Sequence, residues 1–259
     1  MNRILKYTLS ALCGCMIIGC MVWAFAVGTR LKTDYECKRL EVCIKDSLDN
    51  HFVSRADVKT FLDKGYGKYL GESLYSIDLV RIENIVDGRS AVKKSQAYVT
   101  KDGTLHVDLV QRKPIVRFQK AEGGFYADAE GFIFPLQKSF ASHVQVIDGH
   151  IPLAANSGYK GAIRDRQEME WFRSMMDLIN YMEGSRKWKN KIVQIHVTSC
   201  GDLVLVPREG NVKIIFGKPS EMEDKFSKLE KYYTAIIPEK GKDRYKEVDL
   251  RFKGQIVCR

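Results

Sequence analysis

The stretch that decides the fold is Gln96-Ala97-Tyr98-Val99-Thr100-Lys101-Asp102-Gly103-Thr104-Leu105-His106-Val107-Asp108-Leu109-Val110. Two runs, Gln96 to Thr100 and Thr104 to Val110, meet through Asp102-Gly103. Asp-Gly between alternating runs is a strong hairpin signal, because these residues tolerate the positive φ that a tight turn demands. Leu105, Val107 and Leu109 take one face of the second run; His106 and Asp108 take the other. Upstream, Leu40-Glu41-Val42-Cys43-Ile44 alternates in the same way and reads as a strand. Between these strands lie two helical patterns. Ser54-Arg55-Ala56-Asp57 has the form of a capping box, with Val58, Phe61 and Leu62 at helical spacing and Gly65 as a stop. Ile82, Ile85 and Val86 form the stripe of a second helix from about Ile77 to Asp87, ended by Gly88. The order β-α-α-β-β across 40–118 predicts an α+β unit, two helices over a three-stranded sheet whose edges stay open.

Beyond Arg117 the pattern changes to short strands, which places a domain boundary near 118–122. Gly124–Ala127 and Phe132–Pro135 flank the turn Asp128-Ala129-Glu130-Gly131, and Val144–Ile147 follows. A long helix is expected from Asp165 to Gly184, with Phe172, Met175, Met176, Ile179 and Met182 along one side. Lys191–Val197 and Leu203–Pro207 form a hairpin through Gly201-Asp202, and Val212–Phe216 adds a strand. Pro219 to Glu223 opens a last helix with Met222, Phe226, Leu229, Tyr233 and Ile236 on one face. The chain closes with the strand Glu247–Phe252, a Lys253-Gly254 turn and the strand Gln255–Cys258.

At the other end, no charged side chain occurs from Tyr7 to Thr29. As a helix these residues extend about 34 Å, against a hydrocarbon core of about 30 Å. Arg3 and Lys6 precede the run, which keeps the short N-terminus cytoplasmic and sends everything after Arg30 across the membrane. Ala24-Phe25-Ala26 has the small-x-small form of a signal-peptidase site, and Ile17-Ile18-Gly19-Cys20 faintly resembles a lipoprotein processing site. The run is longer than a signal-peptide core and stays apolar after Cys20, so an uncleaved anchor is the expectation. The organisation read from the sequence is a tail over 1–6, a transmembrane helix over 7–29, a linker over 30–39, a first domain over 40–118 and a mostly β second domain with two helices over 119–259.

The chain has 259 residues, 45% of them hydrophobic and 29% charged, with a formal net charge of +10. That composition excludes a disordered, collagen-like or coiled-coil protein. A positive balance fits nucleic acid, an anionic membrane or an acidic polymer, and translocation weakens the first of these. Lys93-Lys94, Arg112-Lys113 and the run from Arg186 to Lys191 are the basic clusters. Of the seven cysteines, Cys13, Cys15 and Cys20 lie in the apolar run, while Cys37, Cys43, Cys200 and Cys258 would face the oxidising side. Those four allow three pairings, and spacing does not choose among them.

No CxxC, HExxH, GxSxG or EF-hand pattern occurs, and the five histidines stand at no ligand spacing. No metal or other cofactor is expected, and no catalytic residue is assigned. Asp128 and Glu130 are the only carboxylates that invite a wall-hydrolase reading, and Asp at a turn is the ordinary use of Asp.

Three stretches are similar, in order, to the FtsQ/DivIB family of cell-division proteins. Ala97-Tyr98-Val99 through Thr104–Val116, with Gln111-Arg112-Lys113-Pro114, resembles the end of that family's POTRA domain. Phe125-Tyr126-Ala127-Asp128-Ala129-Glu130-Gly131-Phe132-Ile133-Phe134 resembles the opening of its β-rich domain. Tyr245-Lys246-Glu247-Val248-Asp249-Leu250-Arg251-Phe252 resembles the motif near its end. Beside these three, Ile192–Gly210 is similar to its middle hairpin. The chain departs from the pattern at Gln111, where Glu is common, and in the glycine-free turn Lys45-Asp46-Ser47-Leu48. The resemblance implies a non-enzymatic divisome scaffold in the inner membrane at the septum, with periplasmic domains. It would bind FtsB- and FtsL-type partners and help recruit and regulate septal peptidoglycan synthesis, with no small-molecule substrate and no nucleic acid. A POTRA chaperone of outer-membrane assembly is the alternative within binding proteins, and an anchored wall hydrolase the alternative among enzymes.

The residues themselves supply a docking mechanism. Val248, Leu250 and Phe252 are expected on one face of the Glu247–Phe252 strand, and Glu247, Asp249 and Arg251 on the other. The last strand, Gln255–Arg259, is expected to lie uncovered, offering backbone N–H and C=O groups for a partner strand to extend. The candidate partner-binding residues are therefore Val248, Leu250, Arg251, Phe252, Gln255, Ile256 and Val257. Arg251 would supply a charge-assisted contact to a partner carboxylate, and Phe252 a buried anchor.

Overall fold

The computed structural model describes residues 12–26, 35–46, 51–137 and 139–259. Residues 12–26 are helical (α1) and almost wholly exposed. Among the described residues no helix is long and apolar enough to cross a membrane. The rest of the expected 7–29 span, the 1–6 tail and part of the expected linker lie outside the described residues. Contacts divide the chain into two units, up to Gln111 and from Arg112 onward.

The first unit runs β1 (Arg39–Ile44), α2 (Arg55–Gly65), α3 (Leu79–Asp87), β2 (Val92–Thr100) and β3 (Thr104–Gln111). Its sheet has the order β1-β3-β2, with β1 parallel to β3 and β2 antiparallel to it. The Ser54/Asp57 capping box forms as expected, each side chain meeting the other residue's backbone N–H. Asp78 caps α3 by accepting from the Arg81 amide at 2.9 Å. Val58, Leu62, Ile82 and Val86 are buried, as are Leu105, Val107 and Leu109. At the hairpin tip Gly103 takes φ +88°, and Asp102 accepts from the Thr104 hydroxyl and the Arg39 guanidinium. The Thr100 and Thr104 hydroxyls hold the Asp102 carboxyl at about 2, well below the ordinary 3.8.

Gln111 explains one departure from the family pattern. Its buried side-chain oxygen accepts from the Val53 amide at 2.8 Å, and its backbone N–H donates to Asp46 at 3.1 Å. A second carboxylate at position 111 would face Asp46, whereas the Gln111 amide donates to Asp46 Oδ1 at 3.5 Å.

In the second unit, β4 (Pro114–Lys120), β5 (Gly123–Asp128), β6 (Phe132–Pro135), β7 (Gln145–Gly149) and β8 (Gly161–Ala162) precede α4 (Arg166–Gly184). Then come β9 (Ile192–Val197), β10 (Leu203–Pro207), β11 (Lys213–Gly217), α5 (Met222–Lys231), a π-helical turn over Tyr232–Ile236, α6 (Ile237–Lys240), β12 (Glu247–Asp249) and β13 (Val257–Cys258). All ten strands form one sheet in the order β13-β12-β11-β10-β9-β7-β4-β5-β6-β8. The expected boundary near 118–122 therefore cut through β4. That strand pairs with β5 and β7 and sits inside the second sheet, with Val116 and Phe118 buried.

Asp165 caps α4 through the amides of Gln167 and Glu168, and the whole expected stripe from Phe172 to Met182 is buried. It packs in one core with Ile195, Leu203, Ile214, Phe216, Phe226 and Val248. The last helix departs from expectation. Tyr232, three residues after Leu229, continues the buried face of α5, while Tyr233 and Ile236 in the π turn are only partly buried.

Candidate functional site: the C-terminal sheet edge

The edge begins with β12, which lies parallel to β11 in the register Ile214↔Val248. It ends sooner than the alternation of Glu247–Phe252 implies, after Asp249. Leu250 still donates its N–H to Ile215 O at 2.9 Å, but beyond it side chains hold the backbone in place of the ladder. From one side Arg251 does this. Its Nε donates to Asp249 Oδ1 at 3.0 Å and its Nη2 to Asp249 Oδ2 at 2.8 Å, while Nη1 reaches Asp202 at 3.1 Å. The Arg251 stem crosses Gly217, where φ is +76° and a Cβ would stand 2.7 Å from Arg251 Cγ. From the helix side, the buried Lys228 ammonium donates to Leu250 O at 2.8 Å and Phe252 O at 2.9 Å, with Asp224 at 2.8 Å as its counter-ion.

Asp249 is 2% exposed, and the Arg251 side chain holds its carboxyl below the ordinary carboxylate range. Arg251 is raised in turn by the same pair. Lys225, one turn before Lys228, donates to Lys218 O at 2.7 Å and lies over the Phe216 ring; burial lowers its pKa.

These contacts sort the expected site residues. Val248 and Leu250 are fully buried core residues and support the edge from within instead of facing a partner. Arg251, expected to reach a partner carboxylate, is already bound to Asp249 and Asp202. Phe252 is exposed at the tip, and Gln255 is exposed beside it. Ile256 and Val257 are partly buried. The turn forms where expected, with Gly254 at φ +68° and the Gln255 amide on Phe252 O at 3.3 Å.

β13 pairs antiparallel with β12 and has no other neighbour among the described strands. Glu247 and Arg259 exchange both main-chain bonds, at 3.0 and 2.9 Å. In an antiparallel ladder such pairs alternate with pairs that make no bond to each other. Hence Val257, opposite Asp249, also turns its N–H and C=O inward, and Cys258, opposite Val248, turns both outward. By the same alternation Ile256 faces outward. The side chains of Ile256 and Cys258 pack on the core face. The thiol of Cys258 is raised by burial, and all seven cysteines are free thiols.

The carboxylate considered for hydrolysis has other partners. Asp128 is buried; Oδ1 accepts from the amides of Glu130 and Phe132 at 3.0 Å each, and Oδ2 from Arg112 at 2.8 Å. The Arg112 guanidinium in turn stacks 3.4 Å over the Phe132 ring. Among the described residues no three metal-ligating side chains come together.

Comparison with known proteins agrees with this architecture. The family model "FtsQ/DivIB, C-terminal related" matches residues 113–259, and the POTRA-like domain matches residues 35–110. No curated protein matches the chain. The two matches abut at the same place where contacts divide the chain, before β4. The longer match covers more than half of the sequence and contains the whole ten-stranded sheet with its C-terminal edge: the chain belongs to the FtsQ/DivIB family.

Proposed function

We propose that this protein is a non-enzymatic division scaffold, anchored in the inner membrane by its N-terminal segment, with its folded units in the periplasm at the septum. It captures FtsB- and FtsL-type partners by letting one of them add a strand along β13, and so helps recruit and regulate septal peptidoglycan synthesis. The observation that carries this reading is the position of β13, last in the sheet order, with the backbone groups of Cys258 directed away from β12. Each added main-chain bond is worth roughly 0.5–1.5 kcal/mol net, and the exposed Phe252 stands at the tip of the same hairpin as an apolar contact.

Register makes the test specific. Proline is tolerated on an edge strand where its missing N–H faces solvent. Cys258→Pro removes an outward donor and leaves the bonds of Val257 and Arg259 to β12 in place. In the full-length chain it should weaken binding of the cell's own FtsB-type partner about tenfold with unchanged melting temperature. Val257→Pro removes an inward bond and should lower stability first. A folded Cys258→Pro protein with wild-type affinity would contradict strand addition at this edge.

A further inference from the structure

The end of the sheet at which β13 finishes carries a row of cations. Lys189 and Lys191 precede β9, Arg208 follows β10, Lys213 opens β11, Lys246 precedes β12 and Arg259 follows β13. The strand directions bring these termini to one end of the sheet. Main-chain bonds join neighbours along the row: Arg208 N–H to Lys191 O at 2.7 Å, Lys213 N–H to Lys246 O at 2.8 Å, and Lys246 N–H to Arg259 O at 2.6 Å. All six residues are exposed.

Lys187, Lys218, Lys228 and Arg251 in the same unit pair with Glu230, Asp202, Asp224 and Asp249, whereas Arg186, Lys242, Arg244 and Lys253 have no carboxylate within ion-pair distance among the described residues. None of the six has a carboxylate within ion-pair distance among the described residues; Arg208 Nε donates to Asn190 O at 2.8 Å, and the charge of Arg259 is felt by Asp249. Glu209 and Glu247 are the acids interspersed along the row, Glu247 in register between Lys213 and Arg259, and six cations against two acids leave it net positive. Like charges gathered at one end of a sheet repel one another, and an anionic occupant relieves that repulsion.

We infer that this row receives an acidic polypeptide segment flanking the strand that adds to β13. The inference rests on the strand-addition reading and extends it to the chemistry of the partner. Continuity selects the occupant. Arg259 and Glu247 form the last rung of the β12–β13 ladder, so a chain lying along β13 passes Arg259 and Lys246 as it leaves the sheet. At about 3.3 Å per residue, two or three acidic residues beyond the paired segment cover that distance. A bilayer or wall polymer would meet the row without any relation to β13.

The test compares two variants of the full-length chain, by stopped-flow association with the cell's FtsB-type partner at low and high NaCl. Lys213→Gln/Lys246→Gln/Arg259→Gln should slow association about tenfold at low salt and flatten its salt dependence, with dissociation changed less than about threefold. Cys258→Pro should do the reverse, speeding dissociation and keeping the salt dependence. A wild-type association rate and salt slope in the triple variant overturns the inference and leaves the edge reading standing. A Cys258→Pro variant with wild-type dissociation overturns both. The same triple variant is sedimented with vesicles of phosphatidylcholine and phosphatidylglycerol; loss of vesicle binding with an unchanged partner association rate would assign the row to lipid and overturn the inference.

Discussion

Arg251 grips Asp249 with two parallel bonds, Nε to Oδ1 at 3.0 Å and Nη2 to Oδ2 at 2.8 Å, two residues apart on the same chain. That pair ends β12 and sets the direction in which the chain enters the C-terminal hairpin. It also gives the Val-Asp-Leu-Arg-Phe motif a physical meaning. Val248 and Leu250 anchor the segment in the core, Asp249 and Arg251 lock its backbone, and Phe252 is left exposed.

Breaking that pair should cost stability. Arg251→Ala leaves the Asp249 carboxylate buried without its main partner. Removing one member of a fully buried pair costs about 3–5 kcal/mol. Arg251 is 43% exposed, so screening reduces the expectation to about 2 kcal/mol, read from urea unfolding.

The same pair predicts the acid limb. The Asp249 carboxyl is held below its ordinary value of 3.8, so the folded state favours the ionised form. Its contribution is fully present above the unfolded value, near pH 4, and is lost as pH falls through the lower folded value. Asp249→Asn should be less stable at pH 7 and lose less stability than wild type between pH 4 and pH 2, as measured by thermal melts.

Lys228 positions the hairpin from the helix side. Lys228→Met removes the donor shared by Leu250 O and Phe252 O. The fold should lose roughly 1–3 kcal/mol, and the Arg259 amide, bonded to Glu247 O at 2.9 Å, should exchange at least tenfold faster. Equal exchange in variant and wild type would show that the hairpin holds without this contact.

In the first unit, Gln111→Glu places a second carboxylate against Asp46 while keeping the acceptor for Val53. The variant should be destabilised by about 2 kcal/mol at pH 7. The penalty should shrink as pH falls and the new carboxyl takes up a proton, since a buried acid beside a like charge has a raised pKa.

Much of the fold is legible in short patterns. The capping box at Ser54, the Asp165 cap, the α4 stripe and the Asp102-Gly103 turn depend on neighbours a few residues away. The features that escape the sequence depend on distant partners. The alternation of β4, with Val116 and Phe118 inward, is visible, but nothing local tells to which sheet it belongs; pairing with β5 and β7 decides that. The early end of β12 combines the local Asp249–Arg251 pair with contacts from Lys228 and Asp202, far from it in sequence. The π turn after α5 has no local marker. At the edge, the open strand is readable from hydrophobic alternation, yet which of its amides face outward follows only from the register with β12.

That register supplies the most direct test of the central claim. Amide hydrogen exchange is measured residue by residue in the full-length protein, free and saturated with the proposed FtsB-type partner. The amides of Val257 and Arg259 should be protected in both states, and those of Ile256 and Cys258 should become protected only in the complex. Unchanged exchange at Ile256 and Cys258 in a saturated complex would contradict capture of a partner strand on β13.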